Sequence, residues 1–184
     1  CANKGLSYTL QPVNFRSEDY LQEHPFRKMP VMHHGDVKLY ESLAIASYID
    51  EAFDGPALQP KSPAKRALMM QWISVTNDYL YKTIIGCCVA ERFVKPMEPD
   101  EAQIAQALPV IESHLDVLDA ALAYSNFFCG DQLTLADLFV APVIAYFAAT
   151  PEGATALPAR TAVQAWLERM ASTAQFGEIN KIGP

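Results

Sequence analysis

The sequence predicts a small α/β domain, a linker and an all-α domain. Three observations carry this expectation. Convincing strand patterns occur only before Glu41. From Leu43 onward apolar residues recur at helical spacing. Between the two regions, DGPALQPKSP crowds three prolines and a glycine into ten residues, the composition of a connector. The expected divisions are residues 1–53, a linker at 54–62, and 63–184.

Taken in order, Cys1 to Gly5 reads as the last turn of a helix, with a basic residue and then a glycine in the C′ position. LSYTLQPV (6–13) alternates and is rich in β-formers, which predicts a strand. SEDYLQE (17–23) predicts a short helix or turn. Val31–His33 and Val37–Tyr40 predict two strands of a hairpin around His34-Gly35-Asp36, where glycine supplies the unusual φ. Ile45, Tyr48, Ile49 and Ala52 then follow i, i+3, i+4, i+7, a helix.

Ser62-Pro63 predicts a second helix start, with Ser as N-cap and Pro at the first helical position. Its apolar pattern runs through Trp72, Val75 and Tyr79 toward Phe93, ending near Pro96, with Gly86 able to bend it. A further helix is expected from about Pro99. Leu108, Ile111, Leu115, Leu118 and Leu122 mark its inner face, and Pro109 is expected to kink or restart it. LTLADL (133–138) is the sharpest local signal. Thr134 as N-cap, Asp137 three residues on and a Leu133–Leu138 staple form a variant capping box. Both polar residues therefore read as structural. A last helix is expected over Ala162–Met170, with Val163, Trp166, Leu167 and Met170 on one face.

The 184 residues are 51% hydrophobic and 19% charged, with a net charge of −7 and a pI near 5.0. An acidic chain without a basic stripe argues against nucleic-acid binding. No uncharged apolar run approaches the roughly 18 residues of a membrane span, so no membrane partner is expected. Of the four cysteines, at positions 1, 87, 88 and 129, none makes a C-x-x-C pair. With no secretory signal, a reducing cytoplasmic setting is the simpler one. Cys87, Cys88 and Cys129 read as buried thiols. His33 and His34, as neighbours on a strand, point to opposite faces and predict no metal site. Tyr79, Tyr81 and Phe93 read as core, with the lining of an apolar pocket as the alternative.

HPFRKMPVM followed by LYESLAIASYID, then LTLADL, then AVQAWLERM, resembles the cytosolic glutathione transferase family, of bacterial type with the class left open. The likeness covers essentially the whole chain, with four motifs in the family's order. It implies a thioredoxin-like first domain, incomplete here because it lacks its first strand and most of its first helix, and an all-α second domain.

It also implies roles. Pro30 would carry a cis bond, and Met29 would dock the cysteinyl part of glutathione through its main-chain N–H and C=O. Ser42, at a helix N-terminus, would hold the γ-glutamyl carboxylate, where free N–H groups favour an anion. Glu41 would accept from the ligand's ammonium, and Lys28 would reach the glycine carboxylate. Arg27 stands where the family commonly has glycine.

The catalytic group, a Ser, Tyr or Cys that lowers the thiol pKa by donating to the thiolate, is expected upstream of Cys1. Cys1 itself is not assigned that role. Asp78 would face the glutathione site of a neighbouring subunit. The expected activity is conjugation of glutathione, as co-substrate, to an apolar electrophile by a cytoplasmic homodimer without a metal. Ala64–Trp72, with Met69 and Met70, would offer the sticky dimer surface. The alternatives are a glutathione-dependent isomerase, dehalogenase or reductase, or a non-catalytic binding module of the same fold.

Overall fold

The computed structural model describes residues 1–95 and 97–173. The expected helix end at Pro96 and the bound at 184 lie outside the described residues. The chain divides into two compact units, Cys1–Ala57 and a second beginning at Leu58. The connector expected at 54–62 is thus shared between them. Leu58 and Gln59 are buried, and the Leu58 carbonyl accepts the Leu135 N–H at 3.1 Å.

In the first unit a 3-10 turn, Ala2–Lys4, closes on Gly5, whose φ of 63° is left-handed. Helix α1 (Tyr20–Glu23) follows, then strands β1 (Val31–His34) and β2 (Val37–Tyr40), then helix α2 (Ser42–Ala52). The strands pair antiparallel with Val31 opposite Tyr40 and His34 opposite Val37. The hairpin loop is therefore two residues, one shorter than expected, and Gly35 takes a φ of 56° in it. Such a tight loop requires positive φ in its centre.

The strand expected over residues 6–13 does not form. A strand exists through its ladder, and β1 and β2 pair only with each other among the described residues. Tyr8, Leu10 and Val13 are left exposed.

The second unit is helical. Helix α3 (Pro63–Val75) starts as expected, with Pro63 at its first position behind Ser62. It continues as a π-helical segment, Thr76–Val89, and ends as α4 (Ala90–Phe93). Thr76, Leu80, Ile84 and Cys88 are all buried, at intervals of four. In an α-helix four residues overshoot one turn by about 40°, so such a column would rotate out of the core. The wider turns of a π-helix keep it on one side.

That geometry also corrects the expected face. Tyr79 and Tyr81 are more than half exposed and Phe93 sits at the surface, so none of the three is core. Met69 and Trp72 turn inward, leaving Leu68 and Met70 as the exposed large apolar residues of α3.

Helix α5 (Glu101–Leu122) begins with Asp100 accepting the Gln103 N–H. It runs through Pro109 without restarting. Proline removes only one hydrogen bond there, while Ile104, Ala107, Ile111, Leu115, Leu118 and Leu122 hold the helix to the core on both sides. Helix α6 (Leu135–Ala148) is apolar almost all round and is the buried centre of the unit. Helix α7 (Pro151–Ala156) turns back tightly: a Cβ on Gly153 would come within 1.8 Å of the Phe147 carbonyl oxygen, so only glycine fits. Helix α8 (Thr161–Ser172) buries Val163, Trp166 and Met170. No single helix among the described residues is long and apolar enough to cross a membrane.

Asp137 joins these elements. Its carboxylate is fully buried. One oxygen accepts the Phe128 N–H and the Trp166 indole N–H, both at 3.0 Å. The other accepts the Thr134 N–H and hydroxyl at 3.0 and 3.1 Å. Burial nevertheless pushes its carboxyl above the usual aspartate value, against the pull of those donors. The capping role expected for Thr134 and Asp137 thus extends to the 126–130 turn and to α8. Removing the carboxylate strands several buried donors, each costing about 1–3 kcal/mol. Asp137→Ala is expected to lower stability by roughly 3 kcal/mol or more in urea unfolding, and a change within 1 kcal/mol of zero (roughly the worth of one ordinary hydrogen bond) would contradict the hub.

Candidate functional site

The candidate residues lie at the open end of the β1–β2 hairpin, and the register explains why. Val31 opposes Tyr40. Pro30 immediately precedes Val31 and Glu41 immediately follows Tyr40, so the two flank the same end of the ladder. The Met29–Pro30 bond is cis. Met29 is exposed at 60%, and neither of its main-chain groups is hydrogen-bonded in the described turns and loops. A free amide and a free carbonyl at one exposed residue are what an extended peptide can pair with.

Beside it, helix α2 opens. Glu41 holds φ 71°, ψ 120°, a left-handed φ that is costly for a residue with a Cβ. Its carbonyl accepts the Ile45 N–H at 3.0 Å, the first bond of the helix. The N–H groups of Ser42, Leu43 and Ala44 are therefore unspent at the helix start, and the Ser42 side chain is exposed there. Unspent N–H groups at a helix start favour an anion. Lys28 is exposed one residue before Met29.

The other nominated residues stand elsewhere. Asp78 is an exposed carboxylate on the π-helical segment, 3.8 Å from Lys82. Thr134 and Asp137 form the buried hub described above. His33 and His34 do other work: His33 Nε2 meets Glu23 at 2.7 Å, and His34 Nδ1 meets the Tyr48 hydroxyl at 2.9 Å. No group of three or more metal-ligating side chains occurs among the described residues.

The two buried thiols are not activated. Burial pushes Cys88 up to about 11 and raises Cys129. Cys87 is only partly buried, contrary to expectation, with its thiol against the Lys82 carbonyl at 3.4 Å.

Several supporting residues escaped the sequence reading. The Tyr20 hydroxyl donates to the Lys28 carbonyl at 2.8 Å from a buried position. His24, almost fully buried, stacks on Tyr40 and accepts the Phe26 N–H. Arg27 has a φ of 51°, the backbone that suits glycine. Its departure from the family's usual glycine was the available signal. At the far end of α2, Lys4 Nζ lies 3.0 Å from Asp50 Oδ1 and donates to the carbonyls of Asp50 at 2.8 Å and Phe53 at 3.2 Å. Both side chains are buried. A cation there satisfies the helix's last carbonyls and its negative end.

Family models of the glutathione S-transferase N-terminal and C-terminal domains match residues 1–51 and 101–169. A glutathione S-transferase of Hyoscyamus muticus is 32% identical over 173 residues, covering 89% of this chain and 81% of the relative. Glutathione S-transferase F10 of Arabidopsis thaliana is 30% identical over 96% of this chain and 86% of its own length. The crystal structure of glutathione transferase F7 from Populus trichocarpa superposes with a TM-score of 0.88 at 28% identity, covering 98% of this chain and 89% of that one. A glutathione S-transferase I structure bound with lactoylglutathione gives 0.87 at 26% identity, covering 97% and 88%. The chain belongs to the glutathione S-transferase family, and its two units are that family's thioredoxin-like and helical domains.

The Lys4–Asp50 pair is open to a direct test. Lys4→Met takes the paired cation away from a buried carboxylate and is expected to cost roughly 3–5 kcal/mol. Because replacing both partners by apolar groups removes that penalty, Lys4→Met/Asp50→Leu is expected to regain part of the loss in the same denaturation measurement.

Proposed function

We propose that the open end of the β1–β2 hairpin is the glutathione site of a glutathione transferase that adds the glutathione thiolate to an apolar electrophile. The observation that supports this most is the meeting of two complementary features at one ladder end: the exposed main chain of Met29 before cis-Pro30, and the unspent N-terminus of α2 behind Glu41.

On this reading the cysteinyl residue of glutathione pairs with the Met29 N–H and C=O as a short strand would. The γ-glutamyl carboxylate sits at the start of α2, taking the Ser42 hydroxyl and main-chain N–H groups. The Glu41 carboxylate accepts from the ligand's ammonium, and the Lys28 ammonium pairs with the glycine carboxylate. With three ligand groups fixed, the thiol is held in one place, and the attack becomes effectively unimolecular once an electrophile lies beside it. The relatives' names and the lactoylglutathione complex of a neighbour support the ligand assignment.

The protein acts as a homodimer on this reading, as is usual in the family, with Leu68 and Met70 on the exposed face of α3 and Asp78 directed toward the partner's site. Its place of action is the cytoplasm.

Ser42→Ala removes a hydrogen bond to a charged group, a loss of about 1.5–3 kcal/mol, or roughly ten- to a hundredfold in affinity. Calorimetric titration is expected to show glutathione binding weakened by that factor while the melting temperature stays within a few degrees of the parent. Unchanged affinity in a folded Ser42→Ala protein would overturn the assignment.

A further inference from the structure

The loop before cis-Pro30 is tied down residue by residue until Met29. The Phe26 N–H donates to His24 Nδ1 at 3.2 Å, the Arg27 N–H to the His24 carbonyl at 2.9 Å, and the Tyr20 hydroxyl to the Lys28 carbonyl at 2.8 Å. His24 and Tyr20 are buried, so these three ties hold the loop from its inner side. One residue holds it from outside. The Arg27 guanidinium donates through Nη1 to the Arg16 carbonyl at 3.1 Å and through Nη2 to Glu18 Oε1 at 2.5 Å. It thereby bridges the 14–18 turn to the loop that ends at Met29. The turn is itself closed, by the Ser17 N–H and hydroxyl on the Asn14 carbonyl and by the Arg16 N–H on Asn14 Oδ1.

Arg27 makes this bridge from a backbone that opposes it. A φ of 51° is open to glycine without a Cβ clash and unfavourable to arginine. Backbone preference alone does not put arginine here; the two outer contacts need its side chain. The planar fork of a guanidinium can serve a carbonyl and a carboxylate at once, which an ammonium at one point cannot.

We propose that Arg27 is a positioning residue for glutathione: a strap that holds Met29's main chain in docking geometry through Arg16 and Glu18, without itself contacting the ligand. This rests on Met29 as the docking residue. Its consequence is a lower ordering cost on binding. The strap acts equally on bound substrate and transition state, so its loss raises KM for glutathione and leaves kcat in place.

The test is steady-state kinetics of the full-length protein with glutathione varied, alongside melting curves, for Arg27→Gly, Glu18→Ala and Ser42→Ala. Arg27→Gly is expected to raise KM about three- to tenfold with kcat within about twofold. Its melting temperature should be equal or higher, because the backbone cost is relieved. Glu18→Ala separates the strap from a simple charge effect. Removing an anion near an anionic ligand lowers KM if Arg27 acts through its field, whereas losing the strap's anchor raises it.

A raised KM in both variants supports the proposal. Unchanged KM in Arg27→Gly, or a lowered KM in Glu18→Ala, overturns it. Should Ser42→Ala leave glutathione binding untouched, the docking reading falls and takes Arg27's role with it. Should Ser42→Ala weaken binding while Arg27→Gly does not, only the strap is lost.

Discussion

The register of the β1–β2 ladder, with Val31 opposite Tyr40, is the constraint on which the proposed site depends, because it determines what stands next to what at the open end of the hairpin. The pairing of two four-residue strands leaves no freedom beyond a shift of whole residues. A slip of one would turn each side chain to the other face and carry Glu41 past Pro30. Gly35 in the two-residue loop holds that register at the closed end. At the open end the chain departs at once on both sides, into the cis-Pro loop and into α2. The ladder is small, and in the proposed site its part is placement.

Placement alone would leave two loose chain ends, and the surrounding residues remove that looseness. Tyr20 and His24 hold the loop before Met29 from below, and Arg27 holds it from outside. Lys4 holds the far end of α2 through two carbonyls and the buried Asp50 carboxylate. The helical unit follows a similar logic with a different centre. There Asp137, a buried carboxylate with four donors, joins the start of α6 to the 126–130 turn and to the α8 tryptophan. In both units a polar group fixes the N-terminal or C-terminal end of a helix whose side is held by apolar packing. End groups are where a helix has unspent hydrogen bonds, so they are where one side chain can specify most.

The helix starts at Pro63 and Leu135, the hairpin and the capping aspartate were legible in the sequence because each is written locally: Pro63 behind Ser62, Gly35 between the two β-runs, Asp137 three residues after Thr134. The π-helical segment carried no such mark, and helix α7 was missed. The misses have physical reasons too. Residues 6–13 alternate like a strand, but alternation supplies one half of a ladder and says nothing of the other half. Trp72 is buried as expected, but beyond it the stripe toward Val75 and Tyr79 follows α-helical pitch, and the π-helical turns carry the core to Thr76, Leu80 and Ile84 instead. Met29, Pro30, Glu41 and Ser42 were nominated through family motifs. The positive φ of Glu41 and the tie from Tyr20 to Lys28 were not legible, since they depend on where the chain returns. Arg27 lay between the two cases: its departure from glycine was visible, its two acceptors were not.

The most direct test of the central claim is an NMR titration of the isotope-labelled protein with glutathione, read residue by residue at the backbone amides. Saturable shifts are expected at Met29 and across Glu41–Ala44, the two sides of one ladder end, at millimolar glutathione or below. Saturable binding whose shifts fall outside both segments, or no shift in either at millimolar glutathione, would contradict it.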